Sequence, residues 1–201
     1  MKIALPTAIA VMMTGSACGG GGGGNGSALY RADVDRFAAD TTRLEALDYT
    51  DLERAGLSGS YLYSGRTSFV VIPDATTMTE TDLADWTATL DEEDFTATPA
   101  VIATMDLTAN FTRGTVGGRL HDFRRPGNDT VPGTITLRDG EITDEYYHYN
   151  AGLEGRFGER NQPVEGIVFG DFMGPRAQMT LGFAGFTVDD EVMVGIFAGA
   201  R

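Results

Sequence analysis

The chain has little of several things that would each point to a particular class of protein. One cysteine, Cys18, stands among 201 residues, so no internal disulfide can form. Two histidines are present, and no Cys/His set has the spacing of a zinc site. Basic residues number 15 against 29 acidic ones, and the formal net charge of −14 disfavours nucleic acid and anionic lipid as direct partners. These shortages exclude a disulfide scaffold, a zinc module and a nucleic-acid-binding protein.

The first 18 residues are typical of an export signal followed by a lipid attachment site. Lys2 supplies the positive end, residues 3–13 form an apolar segment too short to span a bilayer, and Gly15-Ser16-Ala17 is a small-residue cleavage site. A cysteine directly after such a site resembles the lipobox of bacterial lipoproteins, although Gly15 stands where that motif usually has leucine. We therefore expect residues 1–17 to be a signal peptide and Cys18 to be lipidated. The alternative is a secreted protein with a stray cysteine.

A glycine-rich tether follows the predicted anchor. Residues 18–27 contain six consecutive glycines, and a Gly/Ser/Asn stretch behaves as a random coil that holds a domain away from its anchor. No aspartate follows Cys18 to retain the protein in the inner membrane. We expect a lipid anchor in the outer membrane, on its periplasmic or its exposed side.

Residues 28–55 form a preface to the main domain. Their apolar positions are sparse and spaced nearer to three and four than to two. This spacing predicts one or two short amphipathic helices, or an irregular lead-in that packs on the main domain. The apolar positions are Leu29, Val34, Phe37, Leu44 and Leu47.

Residues 56–201 have the pattern of short antiparallel strands. In the last such segment every second residue is apolar, which puts these residues and the ones between them on separate faces of a sheet. The apolar residues are Val192, Val194, Ile196 and Ala198. Tight turns are predicted at 112–115, 138–141 and 188–191, with Asp139-Gly140 the strongest type I′ signal. The candidate strands are 57–64, 67–73, 101–111, 114–122, 133–139, 142–148, 151–158, 164–173, 178–187 and 191–200.

An open meander of this size would expose unpaired backbone at both edges. Closing the sheet removes those edges, so we predict an all-β fold, an eight-stranded antiparallel up-and-down β-barrel after a short irregular or helical preface. Paired glycines inside the later strands agree with tight curvature. The predicted interior filling is Phe169, Phe172, Phe183, Phe186 and Phe197.

The longest interruption lies between Pro73 and Pro99 and contains eight acidic residues and no basic one. Such a charge run is usually a solvated loop, and the alternative is a binding loop for a basic partner. We expect loops 74–99 and 124–133 to be the segments that a rigid barrel would present for recognition.

The last third of the chain carries a recognisable pattern. The segments "GDFMGPRAQMTLGFAG" at 170–185 and "VMVGIFAGAR" at 192–201 resemble the closing strands of the transferrin-binding protein B-like barrel family, and "GLSGSYLYSG" at 56–65 resembles its entry hairpin. The segment "LTANFTRGTVGGRLHDF" at 107–123 is similar to another hairpin of that family. The resemblance implies an eight-stranded barrel, a lipid on Cys18 and a binding role. The chain is long enough for one barrel only, so transferrin binding is not implied.

No arrangement of residues predicts catalysis, a metal site or a cofactor. His121 and Asp122 are adjacent, but neighbours on a strand point to opposite faces, so we expect no acid–base pair and no enzyme. Tyr147 and His148 lie in an aromatic cluster, and because both residue types can bind haem iron they are the candidate ligand-binding residues.

Two functions remain open from the sequence. The first is an envelope lipoprotein that binds an external protein or nutrient carrier through its loops. The alternative is a carrier of a small molecule, such as haem, in or at the mouth of the barrel.

Overall fold

The period-two segments fold into one antiparallel sheet that closes on itself. The computed structural model describes residues 25–72, 95, 99–127, 129–143 and 147–201. Each long strand pairs with the next along the chain, and β1 pairs with both β2 and β9 to close the ring. The strands are β1 (Ser60–Ile72), β2 (Val101–Asn110), β3 (Thr115–Arg124), β4 (Thr130–Val131), β5 (Gly133–Ile142), β6 (Tyr149–Phe157), β7 (Gln162–Met173), β8 (Met179–Val188) and β9 (Glu191–Ala200).

The predicted eight-stranded up-and-down barrel is therefore confirmed. The short β4 pairs only with the end of β3 and lies inside the predicted loop 124–133, so eight strands form the wall. The turns predicted at 112–115 and 188–191 join neighbouring strands. The prediction of separate strands at 57–64 and 67–73 is wrong, because β1 runs unbroken from Ser60 to Ile72. Gly65 is needed there for close approach, since a Cβ at this position would collide with the carbonyl oxygen of Ala198.

The Asp139-Gly140 pair is not a hairpin turn. Asp139 has a positive φ of 49°, and the β5–β6 register shifts between Arg138 and Glu141, so the pair forms a β-bulge inside β5. A Cβ at Gly140 would collide with the carbonyl oxygen of Val116 on β3. The predicted strand 142–148 is wrong for this reason: β5 continues to Ile142, and β6 begins at Tyr149.

Side chains fill the inside of the barrel. Phe69 of β1 contacts Phe186 of β8 at a ring-centroid distance of 5.4 Å, Phe186 contacts Phe157 of β6 at 5.8 Å, and Phe157 contacts Phe123 of β3 at 5.0 Å. This chain of rings crosses the lumen from one wall to the other. Phe172, Phe186 and Phe197 are buried inside as predicted. Phe169 and Phe183 instead pair with each other on the outer wall at 5.7 Å, because each alternates with inward neighbours.

A long helix lies along the outside of the barrel. The preface folds as α1 (Asn25–Glu45) and the four-residue α2 (Leu52–Ala55). Val34, Phe37 and Leu44 of α1 are buried in a cluster with outward side chains of the wall, including Ile102 of β2 and Ala198 of β9. The sequence predicted these three apolar positions, while Leu29 is exposed. No helix in the described ranges is both long and apolar enough to cross a bilayer.

The course of α1 distinguishes the two ends of the barrel. Near its start, the Tyr30 hydroxyl donates to the Pro99 carbonyl just before β2, at 2.5 Å. Beyond its end, Thr50 N donates to the carbonyl of Phe172 at the end of β7. We call the first end the proximal rim, formed by the described residues 125–127, 129–132, 158–161 and 189–191. The other end is the distal rim, formed by residues 46–59, 111–114, 147–148, 174–178 and 201.

Candidate functional site

The two rims carry different chemistry, and both are candidate binding surfaces. The proximal rim has two arginines, Arg125 and Arg160, against five acidic residues. The acidic residues are Asp129, Glu159, Asp189, Asp190 and Glu191. The predicted loop 124–133 belongs to this rim. Residues 74–94 and 96–98 of the predicted loop 74–99 lie outside the described residues, but the flanking strand ends Ile72 and Val101 both lie at the proximal rim.

An ion cluster fixes the start of α1 beside the proximal rim. Asp33 Oδ1 lies 2.7 Å from Nε of Arg66 on β1, and Asp33 Oδ2 lies 3.2 Å from Nε of Arg124 on β3. The N–H of Arg124 Nε does not point at the carboxylate, so this second contact is electrostatic and the first is a true hydrogen bond. All three side chains are at most 23% exposed, so water screens these charges weakly.

Aromatic rings close the distal rim. Phe172 lies at the centre: its ring centroid is 4.8 Å from Phe111, 4.9 Å from Tyr149 and 5.6 Å from Tyr63. Tyr61 extends the group by packing on Phe111 at 5.3 Å. Tyr49, in the segment after α1, is 64% exposed and lies above this group. We call these rings, with His148, the aromatic cap.

Arginines surround the aromatic cap. The guanidinium of Arg201 lies 4.4 Å from the centroid of the Tyr61 ring, a cation–π contact. Arg201 N donates to the Gln178 carbonyl, and Arg176 N donates to Gln178 Oε1, so the two arginines share one loop contact. Arg113 lies in the turn that begins with Phe111. All three arginines are exposed, and none has an ion-pair partner in the described part of the chain.

Sequence reasoning did not find this surface. Tyr49, Tyr61, Phe111 and Arg201 come from separate parts of the chain, and no local motif links them. The available signal was weak: Phe111 ends one predicted strand, and Arg201 directly follows another. Only the closure of the barrel brings them together.

His148 fills a gap in the hydrogen bonding of the distal rim. Its Nδ1 accepts a hydrogen bond from Phe172 N at 2.9 Å, and its backbone N donates to Asp171 Oδ1 at 3.1 Å. The imidazole therefore replaces a strand carbonyl beyond the end of the β6–β7 ladder, which ends at Tyr149 and Gly170. The ring also stacks on Phe172 at 6.1 Å and is 18% exposed.

This environment shifts the pKa values of both partners. Burial lowers the pKa of His148, although Asp171 and the hydrogen bond from Phe172 oppose the change. Burial raises the pKa of Asp171, against the hydrogen bond and charge of His148. The geometry agrees with a neutral His148, because Nδ1 can accept from Phe172 only when it carries no proton.

The two predicted ligand-binding residues point to different surroundings. Tyr147 packs on Phe169 of the outer wall at 4.5 Å, whereas His148 packs on Phe172 at the mouth of the barrel. Tyr146, a further member of the sequence cluster, lies outside the described residues. The structure therefore does not bring Tyr147 and His148 onto one surface, and ligand binding by them stays a prediction.

His121 and Asp122 do not point to opposite faces as the sequence suggested. Asp122 has a positive φ of 53° at a β-bulge, and this turns its Oδ2 to within 2.9 Å of His121 Nδ1. His121 Nε2 lies 3.0 Å from Asp106 Oδ2 on β2. Burial acts to raise the pKa of Asp106, but hydrogen bonds from His121, Arg119 and Ser64 outweigh it and the net pKa is lowered. Aspartate adopts a positive φ more readily than most residues, but this preference alone does not locate a bulge within a strand.

The lumen itself is closed by contacts at the distal end. The hydroxyls of Tyr149 and Thr180 lie 2.6 Å apart, and Tyr63 donates to the Ala177 carbonyl at 2.9 Å. Burial inside the barrel raises the pKa of both tyrosines. Two open depressions of about 330 and 390 Å³ lie outside the lumen at the proximal rim, the first lined by Glu165 and Asp189 and the second by Arg125 and Glu159.

Comparison with known proteins finds similarity only among solved structures. No protein-family model matches the chain. No curated protein sequence matches it either. The similar structures include intact Ap-TbpB with its N and C lobes, at a TM-score of 0.46 and 14% identity over 76% of this chain and 28% of that one.

Two variants of the vaccine antigen transferrin binding protein B from Haemophilus parasuis Hp5 are also similar. The single variant has a TM-score of 0.43 and 13% identity, and the double variant has 0.42 and 14%, each over 76% of this chain. The chain thus spans 27–28% of the length of the three structures.

Proposed function

We propose that this chain is a cell-envelope lipoprotein, anchored in the outer membrane through Cys18, whose barrel binds an external protein or nutrient carrier through the loops of its rims. The observation that carries the binding mode is the filled lumen. Rings from β1, β8, β6 and β3 meet across it, so a partner has to be held at a rim or on the outer wall. No enzymatic role and no resident cofactor belong to this proposal.

The rims suit recognition better than the wall between them. Hydrogen-bonded strands fix the positions of the loops, and loops on a rigid scaffold are the usual place for binding residues. On the wall of β5 and β6, by contrast, charged side chains pair with each other, as Arg138 does with Glu154. Self-paired exposed charges contribute little to partner binding.

The mature chain is immobilised and used to capture a partner from envelope extracts, which tests the binding mode. Three variants are compared with the wild type: a proximal variant with residues 125–132 replaced by a short Gly/Ser turn, a distal variant Arg113→Glu/Arg176→Glu, and the wall control Arg138→Ala/Glu154→Ala. We expect a partner that the wall control retains and one rim variant loses. A partner retained by both rim variants would overturn rim binding.

The anchor is tested separately by mass spectrometry and fractionation. The chain isolated from its own membranes should carry fatty acyl groups on Cys18, and Cys18→Ser should leave the membrane fraction. An unmodified Cys18 in the wild-type chain would overturn the anchor and leave a secreted binding protein.

The alternative carrier function is limited by the same packing. The rings that meet across the lumen leave little room for a small molecule there, so this alternative reduces to a site at the mouth beside His148. Haemin binding tests it.

A further inference from the structure

We infer that the distal rim, with its aromatic cap and Arg113, Arg176 and Arg201, is the surface that receives a protein partner, and that the chain is anchored by its opposite, proximal end. This inference rests on the proposed function, because it needs an anchor at Cys18 and a partner at a rim. It adds which rim binds and what the partner's surface is like.

The position of α1 supplies the first argument. The helix starts beside the proximal rim, where Tyr30 and Asp33 fix it, and ends beside the distal rim, where Leu44 shares a buried cluster with Met173 and Met179. A helix of 21 residues is about 32 Å long at 1.5 Å per residue. The anchor therefore joins the domain at the proximal end, and the distal rim lies a helix length farther along the barrel.

The length of the tether makes this difference matter. The seven residues from Cys18 to Gly24 span at most roughly 25 Å when fully extended. A glycine-rich coil of seven residues spans about 15 Å on average. A folded partner has little room between the proximal rim and the bilayer, whereas the distal rim is open to it.

The composition of the distal rim supplies the second, independent argument. Tyrosine and arginine are the residues that most often carry binding energy at protein interfaces. The distal rim offers Tyr49, which is 64% exposed, and Tyr61 under Arg201. The proximal rim has no exposed aromatic side chain among its described residues.

The charges define the partner. Among its described residues the distal rim carries four arginines against three acidic residues, Asp48, Asp51 and Glu53, and Asp51 pairs with Arg54. Arg113, Arg176 and Arg201 have no carboxylate partner there, although the chain as a whole has a net charge of −14. Unpaired arginines around exposed rings fit a protein surface that places carboxylates around an apolar contact. The acidic proximal rim would repel such a surface.

Access of a folded protein to each rim tests the inference. The full lipidated chain is prepared with Arg176→Cys (distal) or Glu159→Cys (proximal), labelled with biotin-maleimide, and inserted into phosphatidylcholine vesicles. Native Cys18 is blocked by its acyl group and does not react. The probe is streptavidin, and its binding rate is measured on vesicles and, as the matched control, in detergent.

We expect the vesicles to slow streptavidin binding at position 159 by about tenfold or more and to leave the rate at position 176 within about twofold of its detergent value, since steric restriction acts mainly on association. Equal rates at the two positions on vesicles, or hindrance at 176, would overturn the inference while the anchor stands. A chain that does not float with the vesicles would overturn the proposed function itself.

Discussion

The two ends of this barrel show how one scaffold can carry two unlike surfaces. The proximal rim is acidic, polar and fixed to the start of α1 by Asp33, while the distal rim is built from stacked rings with exposed arginines. The strands that join them are the same, so the difference lies entirely in the turns and strand ends. In such a fold, the residues at the ends of the strands therefore determine the chemistry of each binding surface.

The largest expected effect comes from removing the ring that holds the distal rim together. Phe172→Ala deletes a fully buried side chain that touches Tyr63, Phe111 and Tyr149, so it should lower the free energy of unfolding by about 3–5 kcal/mol. Phe169→Ala, on the outer face of the same strand, is the matched control and should cost about 1 kcal/mol. Guanidinium unfolding measures both. Equal losses would mean that the inward and outward positions of β7 are misassigned.

The corresponding test at the proximal end removes Asp33. Asp33→Ala leaves Arg66 and Arg124 largely buried without their carboxylate, so we expect a loss of about 2–4 kcal/mol in unfolding free energy. Asp35→Ala, on the exposed side of the same helix, should change stability by less than about 0.5 kcal/mol. If the two variants unfold alike, α1 is not fixed at this rim by its ion cluster.

A smaller effect on stability is expected when the pH changes the protonation of His148 and Asp171 at the distal rim. The pKa of His148 is lowered in the folded state, so between the unfolded and folded values the unfolded chain binds more protons and stability falls as the pH drops. The raised pKa of Asp171 acts in the opposite sense at lower pH, because its folded carboxyl takes up a proton before the unfolded one does. The contribution of this pair to stability should therefore decline from pH 7.5 to about 5.5, below the ordinary His pKa of about 6.5, and decline less at more acidic pH.

His148→Asn is the variant that checks this assignment. It should flatten the decline in unfolding free energy between pH 7.5 and 5.5, measured by guanidinium unfolding. The control His121→Asn keeps His148 and should therefore show the decline of the wild type. A wild-type decline of the same size in His148→Asn would place the titrating group elsewhere.

The smallest expected effect concerns haem. His148 uses Nδ1 for Phe172 N and is 18% exposed, and Tyr147 lies on the outer wall, so the two do not form one site. Haemin added to the mature chain should give a Soret band that Tyr147→Ala and His148→Ala leave unchanged. A sharpened band that His148→Ala weakens would establish the haem-carrier alternative.

The fold could be predicted from the sequence further than the site could. Alternation at residues 191–200 predicted the correct strand, and Phe197 lies on the inward side as predicted, because period-two burial is a local property. The bulges at Asp122 and Asp139 could not be predicted, since both are non-glycine residues whose positive φ depends on the neighbouring strands. For that reason the predicted turn at Asp139-Gly140 is wrong, and so is the prediction that His121 and Asp122 point to opposite faces. The aromatic cap depends on barrel closure, which no single segment reveals.

Native mass spectrometry of the mature chain purified from its own envelope tests the central claim most directly. Since rings from four strands meet across the lumen, we predict the mass of the polypeptide with its acyl groups and nothing more. A small molecule that stays bound to the folded chain and is released on unfolding would show that the barrel carries its ligand inside, and would contradict binding at the rims.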